Sequence, residues 1–281
     1  MFHRIIPKLD IKGPNLVKGI HLEGLRVLGK PEQFAKFYYE NGADEIIYND
    51  IVASLYERNS LHDLIQKTAK NIFIPITVGG GIRTVDDIKE VLRAGADKVS
   101  LNTAVIKDPS LISEAANFFG SSTIVITIEA IKQSDGKYIA HTDCGREYTG
   151  IEVLKWAKQV EELGAGEILL TSVDKEGTGE NFDLELVKSV SESVKIPVIA
   201  HGGAGKKEHI LDVFNNSADA VAVCSLFHYD FIKSIKELNG YEKEGNIEFL
   251  KKGKIPSRFS ACNISSLKEY LNEKKINTRF N

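Results

Sequence analysis

The chain has 281 residues and a formal net charge of −3, with 42% hydrophobic and 27% charged residues. This balance is typical of a soluble globular protein and argues against a nucleic-acid binder. No apolar run approaches the roughly 20 residues that cross a bilayer, and the N-terminal residues lack a signal-peptide pattern. Three scattered cysteines (Cys144, Cys224 and Cys262) favour free thiols in the cytoplasm.

Short apolar runs alternate with amphipathic stretches along the chain. The runs are rich in isoleucine and valine and apolar on both faces, as buried parallel strands are. Strands are predicted at residues 4–11, 45–50, 73–78, 98–101, 123–129, 167–173, 197–200 and 220–223. Helices are predicted at residues 31–41, 84–93, 109–119, 151–163, 183–193 and 206–216. Eight strands that alternate with helices predict an α/β fold, the (β/α)8 barrel.

The two halves of the chain repeat each other at a spacing of about 120 residues. Asp50 and Asp174 each end an apolar run, and the glycine turn at residues 79–81 matches a second turn at residues 202–204. Matching features in the same order are unlikely to arise by chance. The repeat therefore predicts a barrel built from two similar half-barrels.

The predicted domain organisation is a single barrel over residues 1–281. Its half-barrels cover about residues 1–120 and 121–240. A Gly- and Lys-rich segment at about 239–260 is interpreted as an insertion before a last helix at 265–275.

Two acids end the first and fifth predicted strands, Asp10 and Glu129. These strands lie on opposite sides of an eight-stranded barrel, so the two carboxyl groups can face each other as general base and general acid. Long connections follow both acids, at residues 13–29 and 134–149, and the second contains an Asp-Gly turn typical of a hairpin. Loops after barrel strands form the catalytic face. The alternative is that each acid is solvated or pairs with a basic residue.

Glycine turns follow the third and seventh strands, and side chains that can donate hydrogen bonds follow the fourth and eighth. Glycine lets a backbone approach an anion closely, although tight turns also need it. Two anion sites on one face predict a small substrate with a phosphate at each end. The candidate phosphate ligands are Gly80, Gly81, Asn102 and Thr103 on one side, and Gly202, Gly203 and Ser225 on the other. Further candidates for substrate contacts are Lys18, Asp50, Thr171 and Asp174.

Charged residues also begin several strands, at the end opposite the catalytic face. They are Arg4, Glu45, Lys98 and Glu167. Alternating charges there predict a ring that closes the bottom of the barrel, for which a purely structural role is the alternative. No metal or cofactor is expected, because two separated histidines, His201 and His228, do not supply a ligand set.

These motifs resemble the HisF family, the cyclase subunits of imidazole glycerol phosphate synthase. The resemblance covers about residues 4–231. Its most specific motifs lie at residues 4–7, 9–10, 16–19, 78–82, 95–104, 164–172 and 202–206. The family is a histidine-pathway (β/α)8 barrel with two-fold internal symmetry.

The resemblance implies a reaction, a partner and residue roles. A glutaminase subunit makes ammonia, which passes through the barrel core and reacts with a two-phosphate ribonucleotide. Asp10 then corresponds to the base and Glu129 to the acid, Lys18 belongs to a mobile loop, and Asp97 faces the glutaminase. The resemblance assigns one phosphate to Gly81, Asn102 and Thr103 and the other to Gly177, Gly203 and Ser225. Glu176 belongs to the turn after the sixth strand, where a contact to a phosphate or ribose of the substrate is expected. Arg4, Glu45, Lys98 and Glu167 correspond to the ammonia gate.

The chain departs from the family pattern around the substrate. The family has aspartate at positions 129 and 176, where this chain has glutamate. The chain also differs from the family pattern at three further positions. These are Lys8, Cys144 and His201. The departures leave open a HisF-like paralogue that acts with a glutaminase in the amidination of surface-glycan sugars. A barrel that only conducts ammonia for another synthetase is a third reading.

Overall fold

A computed structural model describes residues 2–53, 61–234 and 256–280. The strands are β1 (Arg4–Lys12), β2 (Asn15–Ile20), β3 (Glu23–Gly29), β4 (Ile46–Asp50), β5 (Ile76–Gly79), β6 (Lys98–Leu101), β7 (Ile124–Lys132), β8 (Tyr138–Thr142), β9 (Glu147–Glu152), β10 (Glu167–Ser172), β11 (Val198–His201) and β12 (Ala220–Val223). The helices are α1 (Pro31–Glu40), α2 (His62–Ala69), α3 (Val85–Arg93), α4 (Thr103–Lys107), α5 (Ser110–Phe119), α6 (Val153–Glu162), α7 (Leu184–Ser191), α8 (Lys207–Phe214), α9 (Ser225–Ser234) and α10 (Ile264–Glu273). Within these ranges, no helix is both long and apolar enough to cross a membrane.

Eight parallel strands close into a barrel in the order β1, β4, β5, β6, β7, β10, β11 and β12. The ring closes where β12 pairs with β1, with Arg4 beside Ala220. Closure satisfies the backbone hydrogen bonds that an open sheet leaves at its edges. The predicted (β/α)8 barrel is therefore confirmed.

The long connections after β1 and β7 are hairpins rather than loops without regular structure. Strand β2 pairs antiparallel with β1, with Val17 beside Asp10, and β3 pairs antiparallel with β2. Strands β8 and β9 extend β7 in the same way. The Asp-Gly turn predicted in the second connection joins β7 to β8, where the Gly136 N–H donates to the Gln133 carbonyl. Both strands run beyond the barrel rim, where an antiparallel partner satisfies their backbone groups.

Side chains of alternate strand residues point into the barrel and form layers. The middle layer is apolar. It contains Ile6, Ile47, Val125, Leu169, Ile199, Ala220 and Ala222. The charged residues that begin the strands lie below it, and polar residues at the strand ends lie above it. This alternation fixes which end of the barrel can carry chemistry.

A second, larger core lies between the strands and the helices. Leu9 and Trp156, for example, are almost fully buried in it. Burial of each such side chain contributes about 1.5–3 kcal/mol. Local signals set the starts of two helices. Pro31 opens α1, and Thr84 caps α3 through a reciprocal pair of hydrogen bonds with Asp87.

The last helix, α10, packs against the bottom of the barrel. Its buried Lys268 forms an ion pair of 2.8 Å with Asp44, whose carboxylate also accepts the Ile5 N–H of β1. Residues 239–255 of the predicted insertion lie outside the described residues. Just beyond them, the Ser260 N–H donates to the Gly205 carbonyl, so this segment rests on the turn after β11.

Candidate active site

Asp10 and Glu129 lie at the same end of the barrel on opposite strands. Three strands separate β1 from β7 in either direction around the ring. Both side chains are buried, with exposed fractions of 6% and 8%. The two carboxyl groups therefore share the enclosed carboxyl-terminal mouth, as an acid–base pair requires.

Lys8 pairs with Asp10 inside this mouth. Its Nζ donates to Asp10 Oδ1, and the lysine side chain is only 3% exposed. Burial opposes the charge on Lys8, but attraction to the Asp10 carboxylate outweighs it and raises the pKa of Lys8 above its usual value. Asp10 thus has a buried counter-ion, the ammonium group of Lys8.

Glu129 has a different environment. Burial raises the pKa of Glu129 to about 7, while the Gly145 N–H and the charge of Lys8 act in the opposite direction. Gly145 belongs to the second hairpin and donates to Glu129 Oε2 at 2.8 Å. A carboxyl group that is partly protonated at neutral pH can act as a general acid.

An open pocket of about 530 Å³ adjoins Glu129. It brings together the candidates that follow β4, β5 and β6: Asp50, Gly80, Gly81, Asn102 and Thr103. Gly80 has a φ of +97°, and a Cβ there would lie 2.2 Å from the Asp50 carbonyl oxygen, so only glycine fits this turn.

Two cations that were not predicted also line this pocket, Arg83 and Lys107. Both are exposed at its mouth, where they can attract a phosphate group. Arg83 follows the glycine turn by two residues, so its place at this site could have been predicted from the sequence. Lys107 lies four residues after the predicted ligand Thr103, at the end of α4.

The second set of phosphate candidates lies on the far side of the mouth, after β10, β11 and β12. Gly202 packs on the Ser172 carbonyl, Gly203 packs on the Asn181 carbonyl, and Ser225 begins α9. A Cβ on Gly177 would lie 2.6 Å from the Gly19 carbonyl oxygen, because the first hairpin lies over this turn. These residues do not line the open pocket beside Glu129.

The first hairpin is held over the mouth by Glu176. Its carboxylate accepts the Leu22 N–H at 2.9 Å, and its carbonyl accepts the His21 N–H at 3.0 Å. Leu22 is buried and lines a small cavity together with Lys8 and Glu129. Burial raises the pKa of Glu176. In this arrangement the Glu176 carboxylate contacts the hairpin, and its predicted contact to the substrate stays a prediction.

Lys18 lies on β2 of this hairpin, within electrostatic range of Glu176 and Asp10. It lines a second pocket, of about 580 Å³, with Arg26, Tyr229 and Arg258. Its ammonium group donates to the Gly19 carbonyl and lies 5.5 Å from the centre of the Phe259 ring. Burial lowers the pKa of Lys18. Lys18 is near the mouth, but in this arrangement it does not reach the pocket beside Glu129.

Thr171 and Asp174 have different positions around β10. Thr171 is buried, and its hydroxyl lies 3.2 Å from His201 Nδ1, while His201 Nε2 lies 3.4 Å from the Cys224 sulfur. Burial lowers the pKa of His201 well below its usual value, so this imidazole is neutral. Asp174 is exposed, accepts the Lys132 N–H at the end of β7 at 2.9 Å, and lines neither of the two open pockets.

The charged ring at the bottom is formed by the residues that the sequence indicated. Arg4 contacts Glu45 at 2.6 Å and Glu167 at 2.9 Å, and Lys98 contacts both glutamates at 3.1 Å. Asp97 lies beside the ring and is exposed. One oxygen of Asp97 accepts the Ile76 N–H at 2.8 Å, so it also supports the start of β5.

The described part of the chain contains no group of three or more His, Cys, Asp or Glu side chains arranged to hold a metal ion.

Comparison with known proteins agrees with this arrangement. The sequence pattern of the family described as histidine biosynthesis protein matches residues 4–233. The chain belongs to this family. Among its relatives, the imidazole glycerol phosphate synthase subunit HisF of Legionella pneumophila is 60% identical over 205 residues, which are 73% of this chain and 97% of the relative.

Two further HisF subunits support the narrower assignment. That of Hydrogenobaculum sp. (strain Y04AAS1) is 50% identical and covers 87% of the chain and 97% of its own length. That of Alkaliphilus metalliredigens (strain QYMF) is 48% identical and covers 81% and 90%. The resemblance of the chain to the HisF cyclase subunits is thereby confirmed, and the glycan-sugar alternative is not favoured.

Proposed function

We propose that this HisF-family barrel catalyses the ammonia-dependent cyclase step of histidine biosynthesis. The substrate is a formimino aminoimidazole carboxamide ribonucleotide. The products are imidazole glycerol phosphate and an aminoimidazole carboxamide ribonucleotide. The observation that carries this proposal is the pair of buried, opposed carboxyl groups of Asp10 and Glu129 at one barrel mouth.

Asp10 and Glu129 divide the proton transfers between them. Asp10, paired with Lys8, accepts a proton from the substrate, and Glu129 donates one on the opposite side. The pKa of Glu129, raised by burial to about 7, supports its role as the acid. Positioned acid–base groups contribute roughly 100- to 10,000-fold to a rate.

The substrate spans the mouth with its two phosphates on opposite sides. One phosphate binds near Gly80, Gly81, Asn102 and Thr103 in the pocket beside Glu129. The other binds at the glycine turns after β10 and β11 and at the start of α9. That second side is covered by the first hairpin, so the proposal requires the hairpin to move when substrate enters.

The chain works with a partner subunit, because its relatives are named as subunits of a synthase. We propose that the partner is a HisH-like glutaminase that forms a heterodimer at the bottom of the barrel. Ammonia then enters through the charged ring and passes the apolar middle layer to reach Lys8 and the substrate. The exposed Asp97 beside the ring is available to the partner.

The test is ammonia-dependent turnover of the formimino ribonucleotide by the purified chain. We expect turnover in wild type and a loss of at least roughly 100-fold in Asp10→Asn, as for removal of a general base. The control is Asp63→Asn, the same change at an exposed residue of α2, and this variant should remain active.

Absence of both turnover and substrate binding in wild type would remove the proposal. Complementation of a histidine auxotroph that lacks the cyclase tests the same function in cells. If Asp10→Asn complemented fully, the barrel would act only as a scaffold that conducts ammonia.

A further inference from the structure

The turn of the second hairpin, at residues 143–145, has a backbone conformation that most side chains disfavour. Asp143 and Cys144 have φ values of +52° and +61°, and Gly145 follows at +80°. Glycine and aspartate tolerate this left-handed region, but a cysteine in it is strained and persists where the surrounding structure holds it. The conformation of Cys144 thus depends on contacts that stabilise it.

The side chain of Cys144 makes two such contacts. Its thiol donates a hydrogen bond of 3.2 Å to the carbonyl of Ile51, the residue after β4. It also packs against an apolar cluster of Val17, Ile51 and Val52, in which Val17 belongs to the first hairpin. Burial raises the pKa of Cys144 to about 12, so the thiol keeps its proton and can donate at neutral pH. The turn is thereby tied to the end of β4 and to the first hairpin.

The same turn holds the proposed acid. Gly145, the residue after Cys144, donates its N–H to Glu129 Oε2 at 2.8 Å. Cys144 and Glu129 also line the same small cavity beside Leu22, at the tip of the first hairpin. A displacement of the turn would therefore displace a hydrogen-bond donor of Glu129.

Other groups also act on Glu129. Lys8 on β1 and Asp143 in the turn exert opposite electrostatic effects on it, and the Asn102 amide after β6 supports its ionised form through a hydrogen bond. Because Lys8 and Asn102 lie outside the turn, they remain in place when the turn moves. Loss of the Cys144 contacts should therefore displace Glu129 only in part.

An ion pair also joins the two hairpins. Arg146 lies 3.6 Å from Glu23, and both side chains are well exposed. Exposed ion pairs of this kind contribute little to stability. The buried contacts of Cys144 therefore stabilise the turn more than this pair does.

We propose that Cys144 is a positioning residue for the acid: its thiol, bonded to the Ile51 carbonyl, fixes the turn whose Gly145 N–H holds the carboxyl group of Glu129. This inference rests on the proposed cyclase function. Cys144 acts through Gly145 and need not touch the substrate. Because its side chain also packs beside Val17, the position of the first hairpin and that of the acid are linked.

The decisive experiment compares Cys144→Ala with Cys144→Ser in steady-state kinetics at saturating ammonia. Alanine removes the hydrogen-bond donor, whereas serine keeps one of similar size. We expect Cys144→Ala to lower kcat by about tenfold or more, since misplacement of a reacting group by about 1 Å can reduce a rate roughly 100-fold. KM should change little, and Cys144→Ser should stay close to wild type. The matched controls are Cys262→Ala and Cys262→Ser, at a second free thiol just before α10, and both should behave as wild type.

The pH profile of kcat gives a readout that a purely structural role would not change. The Gly145 N–H favours the ionised form of Glu129 and so lowers its pKa, against the larger effect of burial. When this bond is weakened, the pKa of Glu129 rises. The alkaline limb should therefore move up by about one pH unit in Cys144→Ala and stay in place in Cys144→Ser.

Hydrogen exchange at the Gly145 amide needs no substrate. We expect exchange in Cys144→Ala to be about tenfold faster than in wild type, because the turn opens more often, and close to wild type in Cys144→Ser. If Cys144→Ala fails to fold, Cys144→Gly takes its place, because it removes the thiol and suits the left-handed conformation of the turn.

The two proposals fail in different ways. An inactive wild type, with faster exchange at Gly145 in Cys144→Ala, would remove the cyclase function but retain the positioning effect. A rise in KM at unchanged kcat would make Cys144 a substrate contact and overturn the inference. Equal losses in Cys144→Ala and Cys144→Ser, or a lower kcat without a shifted alkaline limb or faster exchange, would overturn it as well.

Discussion

Glu129 reaches its position through a side chain one methylene longer than aspartate. Its carboxylate bonds the backbone of Gly145 in the second hairpin, 16 residues further along the chain. This contact fixes the carboxyl group where it faces the open pocket. At the scale of single residues, the acid therefore depends on the length of its side chain and on the hairpin that receives it.

Shortening or neutralising Glu129 should reduce activity by different amounts. We expect Glu129→Gln to lower kcat by roughly 100- to 10,000-fold, because the amide cannot donate the acid proton. Glu129→Asp keeps the acid but withdraws it by about 1 Å, which can cost roughly 100-fold. Steady-state kinetics with saturating ammonia measures both. Wild-type kcat in Glu129→Gln would contradict the assignment of the acid.

The protonation of Glu129 also predicts a pH dependence. The proton must be present at the start of the reaction, and the pKa of about 7 means that it is lost as pH rises through neutrality. We expect wild-type kcat to fall above about pH 7. In the residual activity of Glu129→Gln, this alkaline limb should disappear. A limb that persists in the variant would assign it to another group.

At the scale of elements, the first hairpin is the largest structure that covers the mouth. Its tip is held by two hydrogen bonds from neighbouring N–H groups to Glu176 and by the buried side chain of Leu22. Hydrogen bonds to charged groups contribute about 1.5–3 kcal/mol. The position of the hairpin therefore depends strongly on residue 176.

Removal of the Glu176 side chain should release the tip of the hairpin. We expect Glu176→Ala to increase the hydrogen-exchange rate of the Leu22 amide by roughly tenfold or more, as the loss of about 1.4 kcal/mol implies. Amide exchange followed by NMR measures this. Glu180→Ala, at an exposed position in the same connection, is the control. Unchanged exchange at Leu22 would mean that packing alone holds the hairpin.

At the scale of the whole molecule, the barrel separates its two ends. A ring of four charged side chains closes the bottom, an apolar layer follows, and the carboxyl groups lie above. The ring joins residues that are far apart in sequence, because Arg4 and Glu167 meet only when the barrel is closed. Ion pairs of this kind, in partly buried positions, are sensitive to the loss of one partner.

Disruption of the ring should affect the two ammonia sources differently. We expect Lys98→Met to reduce glutamine-dependent turnover of the complex with its glutaminase, because entry of ammonia passes the ring. Turnover of the purified barrel with an ammonium salt should change by no more than about twofold, since the mouth is untouched. Lys158→Met on the exposed face of α6 is the control. An equal loss with both sources would assign the ring a structural role alone.

Much of the architecture follows from local patterns in the sequence. Hydrophobic runs, the proline that opens α1 and the threonine that caps α3 act within a few residues, so the sequence predicts them directly. The repeat of acids and glycine turns in two halves also predicted that Asp10 and Glu129 share one end. These features need no knowledge of how distant segments pack.

Other features were decided only by the tertiary structure. The sequence alone did not predict that Lys8 pairs with Asp10, that Glu176 holds the hairpin, or that Asp174 bonds the end of β7. Each depends on contacts across a closed barrel or between a hairpin and a distant turn. Periodicity fixes which face of a strand is buried, but the free energy of a buried charge depends on the groups that the whole fold brings beside it.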